Sequence, residues 1–376
     1  SVKEVIGGQV SGTPLLRTAA INEPRLEYDA SGNPLGLLIE EARTNVLQYS
    51  EDFAGSYWSK GRATITPNAA TAPDGTLTAD KIISTAVNGS HYVLRSVSAS
   101  VGTVSVFAKA GEFTFLKMAT SANSFAPSFF NLSNGTIASK ASSHTATITD
   151  AGDGWYRCSI TPDNPFGSAS VENAGNSASS AHLGNGINGI YIWGAQIETG
   201  AFPTSYIPTS GSTVTRNSDL APIPVERFAF NASEGTLFVH AVTAAGINAT
   251  TGQCAVSMSS GSVTDCYRLR KNVSTGQIGM LKRVSDSNVM NINGKIVGET
   301  STFKACGNYS STNLNISIDG EDVITGSASS STITISKVDV GTSPFGDADC
   351  FNGHIKQIQY YPKRLSNTEL QLLTQP

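Results

Sequence analysis

Apolar residues recur at every second position of this chain, in runs no longer than one strand, and no helical period replaces them until the C-terminus. Side chains two apart share a face only on an extended backbone, so the pattern predicts an all-β protein. TVSVFAKAG, FTFLKMAT, SFFNLSNGTIAS, TATITDAGDGWYRCSIT and GIYIWGAQIE all follow it. Asn134-Gly135 and Asp153-Gly154 tolerate positive φ and mark hairpins between such runs. A second series begins after TSGSTVTRNSDLAPIPVERF, residues 209–228, and includes NLNISIDG, where Leu314, Ile316 and Ile318 share one face. Two antiparallel β-sandwiches suit these two series.

The pattern divides the chain into an extended arm over 1–40, a first sandwich over 41–215, a linker over 216–228 and a second sandwich over 229–376. Turn residues crowd the arm, so its order is expected to come from a neighbour. Pro222 and Pro224 cannot donate to a ladder and are expected to stiffen the crossing. In YIWGAQIE, strict alternation places Tyr191, Trp193, Ala195 and Ile197 on one face and Ile190, Ile192 and Gln196 on the other. Gly200, Pro203 and Pro208 then end pairing, which predicts a stiff strap pinned by Phe202 and Tyr206 as a buckle between domains. Near the C-terminus Ser366 and Glu369 have capping-box spacing, and Leu370 and Leu373 form one stripe of a short helix.

Composition narrows the function. Charged residues make up 14% of the chain and the formal net charge is -4, with no dense block of either sign. A nucleic-acid partner needs clustered cations, so none is expected. The opening SVKEVIGGQVSG has no apolar core with basic flanks, and no run approaches the ~18 apolar residues of a membrane helix. The five cysteines lack C-x-x-C spacing and read as buried thiols; a disulfide between Cys254 and Cys266 across SMSSGSVT is the alternative.

Catalytic constellations are thin. Glu40 and Glu41 adjoin, so on a strand they point to opposite faces. His91, His144, His182, His240 and His354 are scattered singly, and no G-x-S-x-G elbow occurs. No cofactor is expected. Calcium is the one ion with candidate ligands, Asp347 and Asp349 in FGDADCF, with Asp150 and Asp153 a weaker pair. Trp58, Trp155 and Trp193 are assigned to core packing.

The stretches LRTAAINEPRLEYD (16–29), GLLIEEARTNVLQYSEDF (36–53), DGWYRCSIT (153–161), YIWGAQIETGAFPTSYIPTSGSTVTR (191–216) and FNGHIKQIQYYPKRLSNTELQLLT (351–374) resemble a group of tailed-bacteriophage virion proteins of tail-fibre or head-fibre type. The resemblance implies jelly-roll domains of the laminin-G and concanavalin A-like kind. It also implies a structural particle component, located in the virion, whose arm attaches to other virion proteins. Non-catalytic adhesion to host-surface glycans is the expected activity, and an arm that cannot pack on itself points to a homo-oligomer, a trimer first. A polysaccharide depolymerase or lyase and pure particle reinforcement are the alternatives. The loops 119–130, 172–186 and 341–351 depart from the group's pattern, and their Phe125, His182 and Phe345 are the candidate glycan contacts.

Overall fold

The computed structural model describes residues 3–6, 16–20, 23–29, 32–97, 102–243, 253–272, 274–298, 300–331 and 333–376, with the backbone alone at 3–6, 123, 347 and 348. The chain forms two compact units, one of Ser1–Pro34 and Arg43–Arg216, the other of Leu35–Ala42 and Asn217–Pro376. Both are antiparallel sandwiches, as the alternation predicts. Among the described residues no helix is long and apolar enough to cross a membrane.

In the first unit one sheet runs Thr136–Ser139, Ser128–Asn131, Phe115–Thr120, Ser168–Asn173, His91–Ser96 and Ser59–Gly61. The other runs His144–Gly152, Trp155–Pro162, Gly102–Lys109, Gly189–Thr199, Ala79–Ser84 and Ala63–Ala70. Several successive strands cross between the two sheets, such as His91–Ser96 to Gly102–Lys109 to Phe115–Thr120, the jelly-roll habit. Val104, Val106, Ile160, Ile190 and Ile192 of one sheet meet Val93, Leu116, Met118, Phe130 and Val171 of the other, and this interface is the core.

The Gly189–Thr199 strand corrects the strict alternation. Its pairing with Gly102–Lys109 shifts between Ser105, which faces Gln196, and Phe107, which faces Trp193, so Gly194 and Ala195 together oppose one residue. Gly194 has φ +60, a conformation open to glycine because it has no Cβ to clash. The bulge reverses the phase of the strand. Ile190 and Ile192 before it and Ala195 and Ile197 after it all reach the core, while Trp193 stands on the opposite face from Ala195 and Ile197.

That opposite face carries the strap. Trp193, Tyr206, Phe107, Trp155 and Leu16 pack there, with the Trp193 and Tyr206 rings 4.9 Å apart. Polar side chains receive the strap's backbone: Ile207 N–H donates to Gln196 Oε1 (2.7 Å), and Thr204 N–H to Glu198 Oε1 (2.9 Å). The buckle expected between domains is thus seated on the first unit's own sheet. Trp58, Trp155 and Trp193 are buried, as assigned, and each indole donates a hydrogen bond.

The arm is also corrected. Lys3–Ile6 pairs with Leu16–Ala19, Leu16 is buried against the Trp155 and Trp193 cluster, and buried Arg25 donates to Ser205 Oγ (2.9 Å). These described residues take their order from their own chain.

The second unit's first sheet runs Ala221–Pro224, Lys337–Val340, Gln253–Ser259, Cys266–Lys271, Gln277–Val284 and Ser287–Ile296. Its second contains Ile324–Ser327, Asn313–Ile318, Thr302–Ser310, Glu234–Thr243, Gly353–Tyr361 and Pro34–Ile39, with Leu37 to Ile39 opposite Ile355 to Gly353. Two expectations are overturned here. Residues 35–39, assigned to the arm, are a strand of this sandwich, and Ile39 joins its core. Pro222 and Pro224, assigned to the linker, lie in an edge strand opposite Asp339 and Lys337. Being two apart they face the same way, so neither missing N–H breaks the ladder.

Leu314, Ile316 and Ile318 point into the core as expected, and the other face of that strand meets the Asn367–Thr374 helix through Asn315 and Ser317. Ser366 caps this helix in a full capping box with Glu369. All five cysteines are free and buried. Cys254 faces Arg270 and Cys266 faces Ser259, so the two never meet across the hairpin.

Candidate functional site

Within the first unit, Phe125 and His182 are not brought together. Phe125 ends the Ala122–Phe125 turn at φ +59 and is 38% exposed. His182 lies beyond the other end of the Phe115–Thr120 strand. There Phe115 N–H donates to Gly175 O (3.0 Å), and a Cβ on Gly175 would stand 3.1 Å from His182 Cγ. Six extended residues, about 20 Å, separate these two ends. His182 packs on His91 (ring centroids 4.5 Å) and meets Phe113 edge-on, and its Nε2 lies 2.9 Å from Ser84 Oγ. Burial, and then His91, push its pKa down to about 4.

Phe345 and Asp349 do come together, on the outer face of the second unit's first sheet. The Phe345 ring lies 4.7 Å from the Arg268 guanidinium and 5.5 Å from that of Arg283. Asp349 is ion-paired with Arg268 through the oxygen that also accepts from Ser343 Oγ (2.6 Å). Asp349 is thus engaged by an arginine and a serine hydroxyl. The side chain of Asp347 lies outside the described residues. Asp150 accepts from Gly152 N–H within its own turn, and Asp153 pairs with Lys109. Among the described residues no group of three or more His, Cys, Asp or Glu could hold a metal. Glu41 and Asn352 exchange reciprocal hydrogen bonds, a structural role for that acid.

A cleft that the sequence did not mark lies in the first unit. Tyr49, Glu51, Asp52, Pro208, Thr209 and Ser210 line a volume of about 240 Å³. It forms where the loop after Leu47 meets the end of the strap. Tyr49 and Ser210 make an isolated antiparallel bridge, Ser50 N–H donates to Thr209 O (3.2 Å), and Thr209 N–H returns to Ser50 Oγ (2.9 Å). Phe53 N–H donates to Asp80 Oδ2 (3.1 Å), fixing the far side of the loop.

Each lining group is positioned by a neighbour. The Tyr49 ring rests 5.3 Å from Tyr57, itself capped by the Arg95 guanidinium at 3.7 Å. Tyr206 Oη donates to Glu51 Oε1 (2.9 Å) and lies 2.6 Å from Ser50 Oγ. Burial raises the Glu51 carboxyl above its ordinary pKa, and the Tyr206 hydrogen bond offsets part of the rise. Asp52 is exposed and accepts from Gly55 N–H (2.8 Å). The result is an aromatic wall with carboxylates and hydroxyls beside it, chemistry suited to a ligand with apolar C–H faces and a rim of hydroxyls. Tyr49-Ser50-Glu51-Asp52 is visible in the sequence as a tyrosine before two acids. What makes it a cleft is contact with residues more than 150 positions away, which no local pattern encodes.

No protein-family model and no curated protein matches the chain. Solved structures with weak similarity include the Ruminococcus gnavus IT-sialidase CBM40 bound to alpha2,3 sialyllactose, at 19% identity and TM-score 0.34, covering 39% of this chain and 84% of that one. A SAP-like pentraxin from Limulus polyphemus matches at 12% identity and TM-score 0.31, over 38% of this chain and 72% of that one. Chicken Galectin 2 matches at 10% identity and TM-score 0.25, over 34% of this chain and 98% of that one. Each likeness spans well under half of the chain.

Proposed function

We propose that this chain is a structural component of a tailed-phage particle, of fibre or decoration type, and that its first sandwich adheres without catalysis to glycans of the host surface. The particle role is supported by the resemblance of the five quoted stretches. The adhesive role is carried by one observation, the cleft that sets the Tyr49 ring beside Glu51, Asp52, Thr209 and Ser210. A saccharide ring would lay its C–H face on Tyr49 and donate hydroxyls to the two carboxylates. Binding rather than cleavage is favoured because both acids come from one loop and each is already held, Glu51 by Tyr206 and Asp52 by its own turn. A single shallow cleft binds weakly, and many copies on one particle multiply the effect by roughly 10²–10⁴.

The test is a titration of the whole protein with host capsule or lipopolysaccharide fragments, wild type against Tyr49→Ala and Asp52→Asn. Saturable binding that weakens at least about tenfold in Asp52→Asn supports the reading. Release of reducing ends or unsaturated sugars would replace it with a depolymerase. Silence towards every glycan, with particle adsorption unchanged on deletion of the protein, would leave reinforcement alone.

A further inference from the structure

Among the described residues, the outer face of the second unit's first sheet carries Arg268, Arg270, Arg283 and Lys337, and of these only Arg270 lacks an acid partner. Arg268 is paired with Asp349, Arg283 with Asp286 and Lys337 with Asp339. Arg270 has neither a hydrogen bond nor an ion pair among the described residues. It is only partly exposed. Its Nε is buried without an acceptor, whereas its terminal nitrogens are neither buried nor bonded. Burial, and then the neighbouring Arg268, hold its pKa below the ordinary arginine value. A partly desolvated cation beside a like charge gains from any anion that reaches it.

The surroundings define what that anion is. Leu269, Met280 and Ile292 point into the core, so the next residues, Arg270, Gly279 and Asn293, stand in a row across three strands on the outer face. Gly279 contributes no side chain, and Cys254, on the other flank of Arg270, is small. Asn293 leans over the glycine: its Oδ1 lies 2.7 Å from where a Cβ on Gly279 would stand. That oxygen accepts from Asn272 (3.4 Å), and among the described residues the Asn293 amide nitrogen has no acceptor. Two sets of unused donors, a guanidinium and an amide, therefore flank one glycine. Among the described residues Asp349, Asp286 and Asp339 are each ion-paired with another cation.

We infer that Arg270 and Asn293 form a receptor for a single carboxylate, that of a sugar acid. One unmatched positive charge calls for a monoanion, because a phosphate of charge near -2 would leave an excess beside Asp349 and Asp339. The planar guanidinium takes a carboxylate through two parallel hydrogen bonds, and the amide reads a neighbouring hydroxyl or the second lone pair. The site shares no residue with the Tyr49 cleft, so either can fail without the other.

The experiment is a calorimetric titration of the full chain at constant ionic strength with sodium glucuronate, glucose and inorganic phosphate, followed by an acidic polysaccharide built from uronic acids. Glucuronate should bind saturably at one site with an affinity that falls as salt rises. Glucose should not compete with it. Arg270→Gln should weaken glucuronate at least about tenfold, and Asn293→Ala, an independent change on another strand, should weaken it less. Stronger binding of the polysaccharide than of the monomer would place the carboxylate on a polymer, and equal binding on a free sugar acid; both support the site. Absence of saturation in wild type, undiminished binding by a folded Arg270→Gln, or phosphate binding as tight as glucuronate overturns it.

Discussion

Single residues decide where side chains end up on these sheets. Gly194 holds φ +60, and a Cβ there would stand 3.0 Å from Phe107 and 3.2 Å from Tyr206. Gly194→Ala should therefore cost about 1–3 kcal/mol, read as a lowered urea midpoint with native circular dichroism retained. His182 gives a pH dependence of known sign. Its folded-state pKa, pushed down to about 4, lies below the ordinary value of 6.5, so between these pH values the unfolded chain binds the extra proton. Stability contributed by the neutral ring is complete above pH 6.5 and declines as pH falls towards 4. His144 and His240, also lowered by burial, act in the same direction. Melting His182→Gln at pH 7 and pH 5 should show a shallower fall than wild type. The buried pair Lys117 and Glu172, joined at 2.9 Å, makes a third case. Lys117→Met removes the counter-charge from the buried Glu172 carboxylate, which keeps its hydrogen bond from Ser170 Oγ (2.8 Å), and should cost about 3–5 kcal/mol in chemical denaturation.

At the scale of elements, local signals held where the element is defined by local bonds. The capping box of the C-terminal helix is readable as Ser366 and Glu369, because both partners lie within one turn. Ser366→Ala should cost about 1 kcal/mol and loosen Leu370 from its pocket beside Phe238, Cys306 and Leu365, measurable as faster amide exchange in the helix. The strands of the two series are likewise legible from alternation. Legibility ended at edges and bulges: Pro222 and Pro224 break a central strand but suit an outermost one, and the sequence does not say which strand is outermost. Asp349 shows the same limit, since FGDADCF reads as an open acidic loop until Arg268 is found against it.

For the whole molecule, the division into units follows contact rather than chain order. The second sandwich borrows Leu35–Ala42 from the N-terminal side of the first and begins with the Ala221–Pro224 edge strand. A fragment starting at 229 would lose both strands and leave the Ile39 position of its core empty. It should be proteolysed faster and aggregate through its bare edges, whereas 217–376 coexpressed with a peptide of residues 33–42 should recover protection. The sequence by itself determined the all-β class, the strand positions, the cap of the last helix and the burial of the tryptophans, because these depend on which way neighbouring side chains turn on an extended or helical backbone. Only the tertiary structure decided the phase of the Trp193 strand, the partner of Asp349, the Tyr49 cleft and the unmatched Arg270. Each of those depends on what a distant segment lays over a sheet face, and residue order carries no distance between segments until the chain has folded.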